Sequence, residues 1–222
     1  IIMVERGEDI SFANCGLPYY IGGSIAQRSR LLVQTPRSML RRFNIDVRTM
    51  SEVRRICKEE KKIEITNLVN GESYREDYDF LVLCPGAKPL VPPIPGIDKD
   101  NIFSVRNIPD SDRIKLYIDK MDVTRAAVLG GGFIGMEMVE ILAQKAIETT
   151  LIEAGPQVIN ALDEEMAAIV HAYLQKQNIN LILNDLPVSL EGKSRVEQII
   201  LDSDKTIPTD MVILGTGVKP EA

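Results

Sequence analysis

The chain has 222 residues, 45% of them hydrophobic and 26% charged, the profile of a globular protein with one large or two modest domains. Its net charge of -6 offers no general attraction to nucleic acid or to an anionic membrane, and no apolar run approaches the ~20 residues of a bilayer span. Cysteines at 15, 57 and 84 and a single histidine, His171, make neither a disulfide framework nor a metal-ligand pattern, so no metal site is expected and a reducing, cytoplasmic setting is.

The first run, IIMVE (1–5), is apolar and closes on an acid; with no initiator methionine it reads as a strand in progress, and a preceding segment is expected. A short helix is expected between Pro18 and about Arg30, and a second starts at Pro36, capped by Thr35, before the strand IDV. Residues 51–83 alternate apolar and polar positions, and the Asn70–Gly71 pair among them predicts a hairpin. Cys57 and Cys84 fall in or at the end of these strands and read as packing residues. Five prolines crowd the segment 84–96, a stiff connection that suits a boundary. Beyond it, 125–153 reads strand, glycine loop, helix, strand; 163–177 is a helix with an acidic first turn; 179–183 and 210–220 are strands. His171 lies within that last helix and is assigned no role. Strands separated by helices give an α/β fold with parallel sheets, here two Rossmann-like units with helices on both faces and an added β-hairpin or meander.

The clearest motif is GGGFIG (130–135), a G-x-G-x-x-G placed between the strand AAVL and a helix. Gly130 serves the tight turn, Gly132 the close approach of a pyrophosphate, and Gly135 the packing of helix on strand. Glu153 stands 23 residues beyond Gly130 at the end of the next strand, where a carboxylate accepts the ribose hydroxyls of adenosine and repels a 2'-phosphate. NADH is therefore read over NADPH. Glu5 also ends an apolar strand and by the same logic is the ribose acid of a second dinucleotide site, although a strand-end glutamate is commonly just solvated.

The stretches ERGEDISFANCGLPYYIGG, LVLCPGAKPLVPPIPG, VRNIPD, VLGGGFIGMEMVE and ILGTGVKP together resemble the single-cysteine branch of the flavin-dependent pyridine nucleotide-disulfide oxidoreductases. That branch includes coenzyme A-disulfide reductases, NADH oxidases and peroxidases, and per- and polysulfide reductases. The resemblance implies an FAD domain, present in part at 1–104, and an NADH domain at 105–222, with a C-terminal dimerisation domain of the full-length homodimer outside the chain.

Carried over by residue, Cys15 matches the redox-active nucleophile, and a cysteine at a helix start is favoured as thiolate by the helix dipole. Ser11 and Asn14 match residues that contact a coenzyme A thiol, and Arg42, beside Arg41, is a candidate for the phosphates of that substrate, against the plainer reading of a solvated helix end. Pro85 and Gly86 match a turn against the flavin nucleotide, and Arg106 a flavin-side contact. Phe133, Ile134 and Glu137 match residues around the nicotinamide, and Gly215 and Gly217 a turn beside it. The implied activity is FAD-dependent transfer of electrons from NADH through Cys15 to a coenzyme A disulfide, persulfide or polysulfide. Two alternatives are an NADH oxidase or peroxidase cycling through a cysteine sulfenate and, from a different class, a flavin-free NAD-binding module with Cys15 as a redox switch.

Overall fold

The computed structural model describes residues 1–221. In chain order, β1 (Ile2–Val4) and β2 (Ser11–Phe12) precede α1 (Leu17–Gly22), followed by β3 (Leu32–Gln34), α2 (Pro36–Phe43) and β4 (Asp46–Arg48). Next come β5 (Ser51–Cys57), β6 (Lys62–Asn67), β7 (Ser73–Asp77), β8 (Ala87–Pro89), β9 (Ile102–Ser104), α3 (Ile108–Lys120) and β10 (Arg125–Leu129). The chain continues through α4 (Phe133–Gln144), β11 (Glu148–Ile152), α5 (Glu164–Lys176), β12 (Asn180–Ile182), β13 (Pro187–Glu191), β14 (Gln198–Leu201), β15 (Thr206–Pro208), β16 (Met211–Leu214) and β17 (Val218–Pro220). Among the described residues no helix is long and apolar enough to cross a membrane. Two compact units result: 1–13 with 27–85, and 14–26 with the chain from Gly86 onward.

In the first unit β1 pairs in parallel with β4, and β5, β6 and β7 form an antiparallel meander around Ile63 and Ile65. Helix α2 begins where Thr35 and Pro36 predict: the Thr35 hydroxyl accepts the Ser38 N–H, and the Ser38 hydroxyl accepts the Thr35 N–H. Left-handed Asn44, at φ 53°, stops it. The expected hairpin joins β6 to β7, but its loop is longer than the Asn-Gly pair alone requires. The Asn67 side-chain Oδ1 accepts the Val69 N–H and the Asn70 Oδ1 accepts the Glu72 N–H, so side chains satisfy backbone donors that strand pairing would otherwise take. One expectation fails: β7 ends at Asp77, residues 81–86 lie in no strand, and Phe80 is 93% exposed. Cys84 is accordingly exposed rather than packed, because no neighbouring strand covers it among the described residues, whereas Cys57 is half-buried in β5.

The second unit is built on a parallel five-stranded sheet of order β12, β11, β10, β16, β9. Strand β10 reads RAAVL and is buried from Ala126 on, as a strand covered on both faces must be. Val128 faces α4, approaching the backbone at Gly135. Ala127 and Leu129 face the other way and join Val212, Leu190, Ile199 and Leu201 in one buried cluster. That second face, where helices were expected, is covered by the antiparallel sheet β13–β14–β15. The chain spanning β12 to β16 has short alternating strands, and an antiparallel meander buries one side of each. Buried Asn101 fastens this layer by donating to the carbonyls of Val196 and Asp210 and accepting the Val196 N–H. Strand β9, assigned to the first domain from sequence, pairs with β16 at the sheet edge. Helix α1 belongs here too: the Tyr20 hydroxyl donates to Asp112 of α3 at 2.8 Å, and Gly22 backs onto Ile141 of α4.

Candidate dinucleotide site

The glycine loop leaves β10 at its C-terminal end and opens α4. Gly130 takes φ +100°, which only glycine adopts without strain, and its N–H donates to the Ile152 carbonyl at 2.8 Å. A Cβ on Gly130 would lie 2.6 Å from the Gly215 carbonyl oxygen, and one on Gly135 would overlap the Gly130 carbonyl oxygen. One on Gly215 would come within 3.0 Å of both Gly130 O and Gly135 Cα. Three backbones thus meet without side chains between them. Gly132 differs: the nearest atom to its missing Cβ is Gly215 O at 3.9 Å, so the protein leaves the space before it open. Open backbone at the N-terminus of a helix of 12 residues is a fitting cradle for a pyrophosphate.

Glu153 follows β11 and folds its carboxylate back over this loop. Oε2 accepts the Gly131 N–H at 2.6 Å and Oε1 the Gly155 N–H at 2.7 Å. In the first unit Glu5 repeats part of this pattern, its Oε1 accepting the Gly7 N–H at 2.7 Å, so both strand-end acids grip a glycine two residues on. The sequence reading gave Gly131 and Gly155 no role; for Gly155 the E-x-G shared by ERG and EAG was the available signal.

At the start of α4 Phe133 is 69% exposed and Ile134 half-buried. Phe133, Met136, Glu137 and Glu140 line a groove of about 470 Å³ that Tyr173 and Leu174 of α5 close from the other side. Burial, and then the neighbouring Glu140 charge, push the Glu137 carboxyl above its ordinary range.

Gly86 and Arg106 come together: Gly86 takes φ +74°, Arg106 Nη2 lies 3.4 Å from its missing Cβ, and Arg106 Nε donates to the Ala87 carbonyl at 2.7 Å. Strand β17 pairs with β8, and Gly217, at φ +97°, accepts the Leu90 N–H, so the Pro-rich connection is laced to the turn after Gly215. Cys15 and Asn14 are both exposed in a single 3-10 turn, Asn14–Gly16, immediately before α1. Ser11 in β2, Glu5, Arg42 and Pro85 belong to the first unit; Arg42 is exposed in the last turn of α2, 5.3 Å over the Phe43 ring.

A parallel sheet with a glycine turn into a helix and a strand-end acid defines a dinucleotide-binding protein, and residues 1–222 match the model of the pyridine nucleotide-disulphide oxidoreductase family, to which the chain belongs. Among curated relatives, an NADH oxidase of Methanocaldococcus jannaschii is 36% identical over 221 residues, covering 99% of this chain and 49% of that protein. A coenzyme A disulfide reductase of Staphylococcus aureus is 32% identical over 222 residues, again 49% of its length. The crystal structure of reduced Bacillus anthracis CoADR-RHD superposes with a TM-score of 0.96 at 54% identity, covering all of this chain and 40% of that one. The chain therefore spans about half the length of the curated relatives it matches.

Proposed function

We propose that the protein to which this chain belongs is an FAD-dependent NADH oxidoreductase that reduces a coenzyme A disulfide, persulfide or polysulfide through Cys15. The observation that carries the reading is the open backbone at Gly132 beside a Glu153 carboxylate already bonded to Gly131. When bound, the nicotinamide supplies a hydride and the flavin passes its electrons on in pairs. Glu153 accepts the adenosine ribose hydroxyls and repels a 2'-phosphate, which favours NADH over NADPH. Phe133, Ile134 and Glu137 bound the nicotinamide end; Glu5, Pro85, Gly86 and Arg106 hold FAD; Gly215 and Gly217 shape the neighbouring turn.

The Cys15 thiolate attacks one sulfur of the acceptor: the S–S bond breaks, one thiolate leaves, and the other half stays on Cys15 as a mixed disulfide. Two electrons and a proton returned to that bond release the second thiol. Exposure of Cys15 on its 3-10 turn suits a partner thiol that arrives and departs, with Ser11, Asn14 and Arg42 as contacts for the coenzyme A moiety. Full-length protein acts as a homodimer in this reading.

The test is anaerobic NADH titration of the full-length protein while the flavin absorption is followed, with wild type and Cys15→Ser offered coenzyme A disulfide, polysulfide, peroxide and oxygen in turn. Bleaching, reoxidation by a sulfur acceptor and loss of that turnover in Cys15→Ser are expected. Reoxidation by peroxide or oxygen alone moves the assignment to an oxidase or peroxidase, and a colourless protein leaves an NAD-binding module.

A further inference from the structure

We propose that His171 is a positioning residue for the dinucleotide loop, holding it while the imidazole is neutral and releasing it on protonation; this rests on the nucleotide reading of Gly130–Gly135. The segment between β11 and α5 grips Gly131 from three sides. Glu153 takes its N–H, the Ile159 N–H donates to its carbonyl at 2.8 Å, and fully buried Val158 puts Cγ1 2.9 Å from where a Gly131 Cβ would stand. Gly131 has both backbone polar groups and its bare Cα face engaged by one loop.

That loop is not in a relaxed conformation. Ile159 is β-branched and sits at φ +48°, a region such residues avoid and hold only where the surroundings over-determine it. Two side chains supply the restraint. Gln157 Nε2 donates to the Leu162 carbonyl at 2.8 Å and closes the loop on itself. From α5, His171 Nε2 accepts the Val158 N–H at 3.2 Å. An imidazole nitrogen accepts only when it carries a lone pair, so this bond requires neutral His171. Protonation sets two N–H groups against each other, frees Val158 and lets Ile159 relax away from Gly131.

Few charged groups lie on α5, on the loop it holds and on the elements beside them. On α5 they are Glu164, Glu165 and Lys176, while the positions one turn either side, Ala167, Ala168, Leu174 and Gln175, carry no charge. On the loop they are Glu153, committed to Gly131 and Gly155, and Asp163, which precedes α5. The segment packed beneath the loop brings Asp185, whose carboxylate is taken by Ser203 and Leu186, and α4 brings Glu137 and Glu140. Strand β12 contributes no charge.

The experiment is calorimetric titration of full-length protein with ADP-ribose, which carries the pyrophosphate and adenosine but cannot reduce flavin. It is run from about pH 8 to about pH 5.5, the span over which imidazoles ordinarily change charge. Wild type is expected to lose affinity roughly threefold to tenfold toward the acid end, the scale of one lost hydrogen bond. In His171→Gln, whose carboxamide oxygen accepts without titrating, and in His171→Leu, which cannot accept at all, the acid loss is expected to vanish. A wild type without the acid loss, or a variant that keeps it, overturns the role of His171. A wild type that binds no ADP-ribose at any pH overturns the nucleotide reading itself.

Discussion

Glu153 and Gly131 are joined by a 2.6 Å hydrogen bond from the glycine N–H to Oε2, across 22 positions of sequence, so the acid proposed for a ribose is pinned to the loop proposed for phosphates. Glu153→Gln removes the charge and keeps one acceptor oxygen, leaving its NH2 against one of the Gly131 and Gly155 N–H groups. The ratio of kcat/KM for NADH over NADPH is expected to fall roughly tenfold, the effect of deleting one partly screened charge beside a 2'-phosphate. An unchanged ratio would show that Glu153 does not face the ribose.

Two glycines of the loop have separable duties. At Gly135 a Cβ overlaps the Gly130 carbonyl, so Gly135→Ala forces α4 from β10 and is expected to cost about 1–3 kcal/mol in urea unfolding. At Gly132 the backbone is in an ordinary region, φ -73°, with room for a methyl group. Gly132→Ala is expected to leave the urea midpoint in place and to abolish ADP-ribose binding; the reverse pattern refutes the assignment.

Ala146, which follows α4 where the sequence lacks the usual glycine, adopts φ +59°. Its Cβ strains against the backbone there, so Ala146→Gly is expected to stabilise by about 1 kcal/mol, net of the extra freedom glycine has when unfolded. The readout is the urea midpoint at constant slope, and a lower midpoint contradicts the strain.

Asp210 ties the start of β10 to the start of β16. Burial alone raises its carboxyl, but hydrogen bonds from the Arg125 N–H, the Thr124 hydroxyl and N–H and the Arg125 guanidinium outweigh this and hold it below the usual aspartate range. A carboxyl depressed by folding contributes stability that is present above its unfolded value and lost as pH falls through the folded one. Stability measured by urea is therefore expected to decline below about pH 4 in wild type and to decline less steeply there in Asp210→Asn, which starts less stable at neutral pH. Parallel acid profiles would count against it.

By itself the sequence determined what short stretches decide: the cap at Thr35, the β6–β7 hairpin, the strand, glycine turn and helix around Gly130–Gly135, and an acid at the end of each of two strands. These are legible because residues within one or two turns of each other set φ, satisfy orphan N–H groups or repeat at a fixed period. Tertiary structure alone decided that Gly215 closes against Gly130 and Gly135, that β9 completes the sheet beside β16, that a meander rather than helices covers Ala127 and Leu129, and that Cys84 lies in the open. It also gave His171 a partner in Val158, 13 positions away across a loop. Each of these is a contact between distant residues whose side chains carry no local mark of it, because burial, shape and an available lone pair acquire meaning only once the sheet has brought the segments together.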